Sequence, residues 1–484
     1  MQQTEVDGVP TFWEQGPEPF SATLIFFAGD RHETFRTRGV AHLVEHLVMS
    51  TLPRDHLDKN ASVDVDAMRF YATGPRDEVV AFLHGVCRAL TSLPLDRLER
   101  ELKVLAAEDG RSCEPHLGWA LAVRSGPVGA GLLGELDREG RVPTAAHALE
   151  FARTHCVADN AVLVLSGPVP DDVHLDLPKG MRAVDTAWRP SPFEAPGLIA
   201  GQIPVVALSY LVPATTEAQL VEHILVGRIE EKVRHDLGLA YEVSLDGCVV
   251  DHEVGLVSIA TDGAEEDSDE IVHAVWSELA DLAVNGPTAE ELAHEKAGFA
   301  AYLDDPRTVM SVLEGSALRY WRFGAVPSRE ELRSRYEAVT VEQIRDWARA
   351  AKESAVIGVP ELPKNPLPAI VDRSEWEFPS REPIAGQRFK RRLTAVVPPR
   401  DLAVHAGAEG ITVTAAGTTI GGTWADVVGV GRADGFRFLH FADGASGPLW
   451  AKHVKDGDRL LALIDEHTTE VGWETTVDAA LDLD

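Results

Sequence analysis

Val40-Ala-His-Leu-Val-Glu-His-Leu-Val-Met49 has a partner further along the chain, Gln219-Leu-Val-Glu-His223, which matches His42 to His46 at every position but the first. In a helix, positions i and i+4 lie on one face a turn apart, so His42 and His46 present two imidazoles to one point, with Glu45 beside the second. Each copy follows an apolar strand, Ala22–Phe27 in one case and Val205–Leu211 in the other. The ends correspond too: Asn160-Ala-Val-Leu-Val-Leu-Ser-Gly167 matches Ser354-Ala-Val-Ile-Gly358, the latter after a helix over Val341–Ala351. A repeat of so long a period means two related domains, not a solenoid.

Working outward from the motif, Val9–Trp13 and Ala22–Phe27 read as paired strands. The helix Val40–Met49 follows, then a strand near Met68–Ala72, helices over Asp77–Leu90 and Leu98–Asp109, a helix near Ala145–His155 and the strand Ala161–Leu165. The order begins again after the proline-bearing stretch Arg189–Pro196, with a helix from Thr216. Val359–Val397 holds Pro360, Pro363, Pro366, Pro368, Pro379 and Pro383 with little periodicity and reads as an extended linker. Beyond it, Leu402–His405, Ile411–Ala415, Val427–Val430, Phe436–Phe441 and Leu449–His453 are short strands, closed by a helix over Asp458–His467. A chain of 484 residues exceeds what one core fills. The expected fold class is α+β: two homologous α/β-sandwich domains over 1–188 and 189–358, a linker over 359–397 and a small, mostly β domain over 398–484.

The balance of 77 acidic against 45 basic residues, a formal charge of −32, repels phosphate backbones and anionic lipid, so no nucleic-acid partner is expected. The four cysteines Cys87, Cys113, Cys156 and Cys248 form no C-x-x-C pair, which points to neither a disulfide framework nor a thiolate metal site. Met1 to Pro10 lacks the basic and apolar pattern of a secretory signal, and no apolar stretch approaches about 18 residues. These readings lead to the expectation of a cytoplasmic protein without membrane insertion.

Two imidazoles leave a zinc ion under-coordinated, so a third protein ligand must come from elsewhere in the chain. Glu45 is placed as a general base, taking a proton from water that a metal has acidified.

With these residues the chain resembles the pitrilysin or insulysin family of inverzincins, peptidases marked by H-x-x-E-H, over roughly residues 10–360. It is similar in particular to half-size members such as mitochondrial processing peptidase. The resemblance implies a zinc metalloendopeptidase with one zinc per chain, hydrolysing peptides or unstructured polypeptide segments, with processing or leader removal as one such role. In that family the third ligand is a glutamate within E-x-x-x-x-x-x-E on a later helix, and Glu101-Leu-Lys-Val-Leu-Ala-Ala-Glu108 reproduces the pattern. Glu108 is then the ligand, and Glu101 the carboxylate that orients a histidine. The family's arginine and tyrosine flanking a Gly-Leu-Ala turn are matched by Arg234-His-Asp-Leu-Gly-Leu-Ala-Tyr241, a guanidinium and a phenol able to donate hydrogen bonds to a developing oxyanion. Asn60, Ala61 and Ser62 resemble the edge strand on which an extended peptide pairs by β-augmentation. There the family continues with Thr and Tyr, whereas this chain has Met68, Phe70 and Tyr71.

In the repeat, Gln219 stands where the first histidine would be, so the second domain is expected to hold no catalytic metal. Half-size members enclose their peptide substrates as dimers, which implies a homodimer or a heterodimer with a related chain. The C-terminal domain resembles bacterial pleckstrin-homology-like (PH-like) domains. Its 14 acidic and 5 basic residues over 401–484 argue against phosphoinositide headgroups and for a protein-interaction role. The alternative to a peptidase is a non-catalytic peptide-binding or assembly subunit of a peptidase complex.

Overall fold

The computed structural model describes every residue except 109–114, 135–140, 183–187, 189–192, 194, 374–379 and 476–484. Cys113, Asp109 and most of the stretch Arg189–Pro196 lie outside the described residues.

The first sheet is built from β1 (Gln2–Val6), β2 (Val9–Trp13), β3 (Phe20–Phe26), β4 (Asp58–Val63), β5 (Met68–Gly74) and β6 (Ala161–Leu165), in the order β1-β2-β6-β3-β5-β4. The helices of this half are α1 (Val40–Met49), α2 (Arg76–Thr91), α3 (Leu98–Ala107), α4 (Pro115–Ser125) and α5 (Ala145–His155). The second sheet comprises β7 (Gly197–Ala200), β8 (Val206–Pro213), β9 (Val243–Val249), β10 (Val254–Thr261), β11 (Val356–Val359) and β12 (Val371–Arg373), in the order β12-β7-β11-β8-β10-β9. Its helices are α6 (Gln219–Ile229), α7 (Ser268–Asn285), α8 (Ala289–Asp304), α9 (Val309–Phe323), α10 (Arg329–Ala338) and α11 (Val341–Glu353). The chain is therefore α+β, with one sheet-and-helix arrangement used twice.

Strands β2 and β3, expected as a pair, are separated by β6, which runs parallel to the first and antiparallel to the second. The reason lies in β6 itself: all five of its residues are apolar and buried, which suits a central strand covered on both faces. Alternation then sorts the side chains. Ala161, Leu163 and Leu165 pack with α1, α2 and α5, while Val162 and Val164 face the other way.

That other face is covered from outside the half to which it belongs. Val309, Leu313, Ala317 and Trp321 of α9 lie against Phe12, Ile25, Phe27, Val162 and Val164 of the first sheet. The exchange is reciprocal, for Leu117, Trp119, Ala120, Leu121 and Val123 of α4 lie against Ile199, Ala207, Leu256, Ala260 and Val356 of the second. Buried polar groups fix the register. Arg124 donates to the Ser209 carbonyl at 3.0 Å and to the Ser354 carbonyl at 2.7 Å, and Thr23 Oγ1 donates to Glu314 Oε1 at 2.9 Å.

The remaining region has two four-stranded sheets and α12 (Gly457–His467) around a common core. One sheet holds β13 (Gln387–Lys390), β14 (Ala403–Ala406), β15 (Gly410–Ala415) and β16 (Thr418–Thr423). The other holds β17 (Val427–Ala433), β18 (Phe436–Phe441), β19 (Ser446–Trp450) and β20 (Gly472–Glu474). Strands β12 and β13 both fall in the stretch read as linker; the first extends the second sheet and the other opens this β region. The region docks on the first half through Phe35, whose ring lies 4.4 Å from that of His440 and 4.0 Å from the Arg141 guanidinium.

Candidate metal centre

Helix α1 starts at Gly39, whose φ of 89° is left-handed and suits glycine. Val40, Ala41, Leu43, Val44, Leu47 and Val48 are buried in the first core, which turns His42, Glu45 and His46 toward α3. The helix N-terminus is held by Glu33, a residue the sequence reading passed over. Its carboxylate accepts from Gly39 N at 2.7 Å and Ala41 N at 2.8 Å, and Arg38 lies 3.5 Å away. Burial and the neighbouring Asp30 push the Glu33 carboxyl up, against the pull of Arg38 and the two N–H donors. The available signal was an acid just ahead of a helix that has no side-chain cap of its own. Glu33→Ala is expected to cost about 2 kcal/mol in urea denaturation, since it removes a cap and leaves buried partners unmatched. It should also weaken metal retention, whereas Glu33→Gln, which keeps one acceptor, should do less of both.

His42, His46 and Glu108 each offer one donor atom within 4.8 Å of the others. Glu108 Oε2 stands 3.1 Å from His46 Nε2 and 3.7 Å from His42 Nε2. Around a tetrahedral zinc with bonds near 2.0–2.1 Å, neighbouring ligand atoms sit about 3.3 Å apart, so this spacing fits. Behind the cluster, Glu101 Oε2 is 3.7 Å from His46 Nδ1, the nitrogen turned away from Glu108. Glu45 Oε2 lies 3.6 Å from His42 Nε2 and 3.9 Å from His46 Nε2. Burial first, and the charge of Glu108 second, push the Glu45 carboxyl up to about 8. Among the described residues no lysine or arginine is paired with Glu45 or Glu108. Two crowded carboxylates beside two imidazoles form a set that a divalent cation would stabilise, and two nitrogens with one oxygen leave a fourth position open.

A cavity of 910 Å³ adjoins the cluster, lined by Glu45, His46, Glu101 and Glu108 and also by Asn60 of β4. Asn60, Ala61 and Ser62 belong to a strand that, among the described residues, pairs only with β5 and presents its other edge unpaired. Arg234 and Tyr241 come together elsewhere. The first sits on a π-helical continuation of α6, Glu230–Asp236, bonded to Glu230 at 2.8 Å, with its guanidinium 5.3 Å from the Tyr241 ring. Tyr241 is 77% exposed, and neither residue lines the cavity beside the cluster.

Residues 144–299 match the family model described as the peptidase M16 inactive domain. No curated protein matches the chain. Among solved structures the fold is similar to a peptidase M16 inactive domain from Pseudomonas fluorescens, at 20% identity and a TM-score of 0.61, covering 75% of this chain and 99% of that one. A chain of complex III2 from Candida albicans gives 16% identity and a TM-score of 0.59, covering 74% and 95%. The first half of the periplasmic protease PqqL from Escherichia coli gives 17% and 0.54, covering 74% and 91%.

The last comparison corrects the expectation of a cytoplasmic protein, because the same fold occurs in a periplasmic protease. The thiols on which that expectation rested do not decide compartment. Cys87 and Cys156 are buried, and burial pushes both up to about 12, which suppresses the thiolate that oxidation requires. Among the described residues no single helix is long and apolar enough to cross a membrane. Residues 144–299 thus match the peptidase M16 inactive domain, and over 75% of its length the chain has a fold similar to that of a solved domain of this kind.

Proposed function

We propose that the chain is a zinc metalloendopeptidase acting on peptides or unstructured polypeptide segments. One observation carries this reading: two imidazole nitrogens and a carboxylate oxygen converge from α1 and the end of α3, with a second carboxylate, Glu45, alongside. A zinc ion held by His42, His46 and Glu108 would polarise the scissile carbonyl and lower the pKa of water. Glu45 takes the proton from the attacking water and passes it to the departing amine. Glu101 keeps the His46 ring turned toward Glu108. An extended peptide pairs along the open edge of β4 at Asn60, Ala61 and Ser62, which sets its carbonyl beside the cluster. Arg234 and Tyr241, exposed and mutually stacked, donate to the oxyanion when brought over the cleft, either by closure or by a second chain in a dimer. The domains follow the division 1–188, 189–358 and 398–484, with β12 from the stretch between added to the second and β13 to the third, and this last domain, PH-like in its strand succession, serves in assembly.

A second reading is favoured by the comparisons, which name an inactive domain and a chain of a multi-subunit complex. On this reading the protein binds peptides or assembles with partners without cleaving them. The inactive-domain match begins at residue 144 and so leaves out His42, Glu45, His46 and Glu108. Zinc content and cleavage of a quenched-fluorescence peptide library separate the two. The peptidase reading expects one zinc per chain, cleavage that stops on chelation and its recovery when stoichiometric zinc is returned. A zinc-loaded chain that turns over no peptide would leave the binding subunit.

A further inference from the structure

The second half carries its own copy of the cluster with two groups exchanged. Gln219, Glu222 and His223 hold on α6 the places of His42, Glu45 and His46 on α1. On α8, Glu295 and, seven positions on, Tyr302 stand where Glu101 and Glu108 stand in the first half. The outer pair is kept, for His223 Nδ1 lies 3.5 Å from Glu295 Oε2, against 3.7 Å for His46 and Glu101. An amide and a phenol in place of an imidazole and a carboxylate make a poor metal site.

The exchange leaves a cavity of 590 Å³ lined by Gln219, Glu222, His223, Phe299 and Tyr302, among others. Glu222 is largely buried, and it makes no hydrogen bond or salt bridge with any described residue. Burial pushes its carboxyl up to about 7, and the buried phenols of Tyr210 and Tyr336 lie near enough to feel its charge. The Tyr210 hydroxyl is itself buried without a hydrogen-bond partner among the described residues. Phe299 stacks on Tyr336 at 3.8 Å and lies 6.4 Å from Tyr302. A cation entering this space would meet both an unpaired carboxyl and the electron-rich faces of aromatic rings.

The surroundings favour the same sign of charge. A neighbouring cavity of 740 Å³ shares His223 with the first and is lined in addition by Glu295. Its cations are already engaged, Arg228 by Asp281 and Glu291, Lys232 by Asp236. Glu231, Glu278 and Glu290 line it without a salt bridge among the described residues. Arg319 and Arg322 also line the first cavity; Arg322 is bound to Asp66 at 2.5 Å, whereas Arg319 donates to the uncharged Thr216 hydroxyl, with the Glu217 carboxylate near enough to act on its charge.

We propose that this metal-free counterpart is a second binding site, which takes the arginine or lysine side chain of an extended polypeptide with Glu222 as counter-ion and Phe299 and Tyr302 as its wall. Such a site rests on the peptide-binding part of the proposed function and not on cleavage. It makes the second half a specificity element, selecting polypeptides that carry a basic residue at a fixed remove from the bond at the first site.

Calorimetry on the full chain carrying Glu45→Gln, which removes turnover, tests it with acetyl-Ala-Arg-Ala-amide and the same peptide containing citrulline. The arginine peptide should bind at least about tenfold more tightly than the neutral one. Glu222→Gln and Tyr302→Ala should each weaken it about tenfold and leave the zinc content unchanged. Tyr302 is 41% exposed, so its substitution keeps the test open should the Glu222 variant fold poorly. Equal affinity for citrulline, indifference to both substitutions, or no binding of the arginine peptide would each overturn the proposal. Arginine binding that survives in a parent chain unable to cleave any peptide would sink the peptidase reading alone.

Discussion

Glu45→Gln is expected to lower kcat for peptide cleavage by about a thousandfold or more, with zinc still bound at one ion per chain. The substitution keeps shape and volume at a buried position and removes the one group placed to accept a proton beside the cluster. General-base catalysis contributes roughly 10²–10⁴ in rate, and an amide does not replace a carboxylate in that role. Glu45 is not among the three residues whose donor atoms converge, so the ion should stay. Glu108→Gln is the contrasting case: it removes a charged ligand, and both metal and activity should fall together. Zinc by elemental analysis and initial rates on one library peptide distinguish the pair. If Glu45→Gln cleaved at the parent rate, the proton would have to travel by another route and Glu45 would lose its part in the chemistry.

The cluster was legible because helical spacing is a local property. His42, Glu45 and His46 need only α1 to exist, and the apolar positions between them specify both the helix and the face it buries. Glu101 and Glu108 are readable for the same reason, two helices later, once the resemblance supplies the pattern. What sequence periodicity cannot express is which sheet an apolar helix covers. In α4, nearly every side chain from His116 to Ser125 is buried, so no polar face marks its orientation. Its partner sheet belongs to the repeat, more than 80 residues away at Ser209. The place of β6 between β2 and β3 is hidden likewise, since its pairing joins segments far apart in the chain. The edge strand β1 was missed because four of its five residues are exposed and polar, leaving no alternation to read. Glu33 shows the limit at the site itself: a buried carboxylate across a turn from the helix it caps looks, in sequence, like a surface acid.

The helix exchange leads to the second large effect, at a residue remote from the chemistry. Trp321→Ala is expected to destabilise the chain by about 3–5 kcal/mol, the range for deleting a buried aromatic side chain. Trp321 is 5% exposed and stacks on Phe27 at 4.3 Å, and its Nε1 donates to Asn160 Oδ1 at 3.3 Å. Asn160 in turn donates to the carbonyls of Phe27 and His155 at 2.9 and 2.8 Å, so the indole also completes a buried polar network. Because α9 follows from the second half while Phe27 and Asn160 belong to the first, the loss should register in the sheet that supports α1. Amide hydrogen exchange in β3 and β6 should quicken along with the fall in the urea midpoint. Phe323→Ala, at a position 41% exposed on the same helix, should shift the midpoint by about 1 kcal/mol or less. Unchanged exchange in β3 and β6 on loss of Trp321 would mean that the first sheet holds its outer face without α9, and that the two halves are stabilised separately.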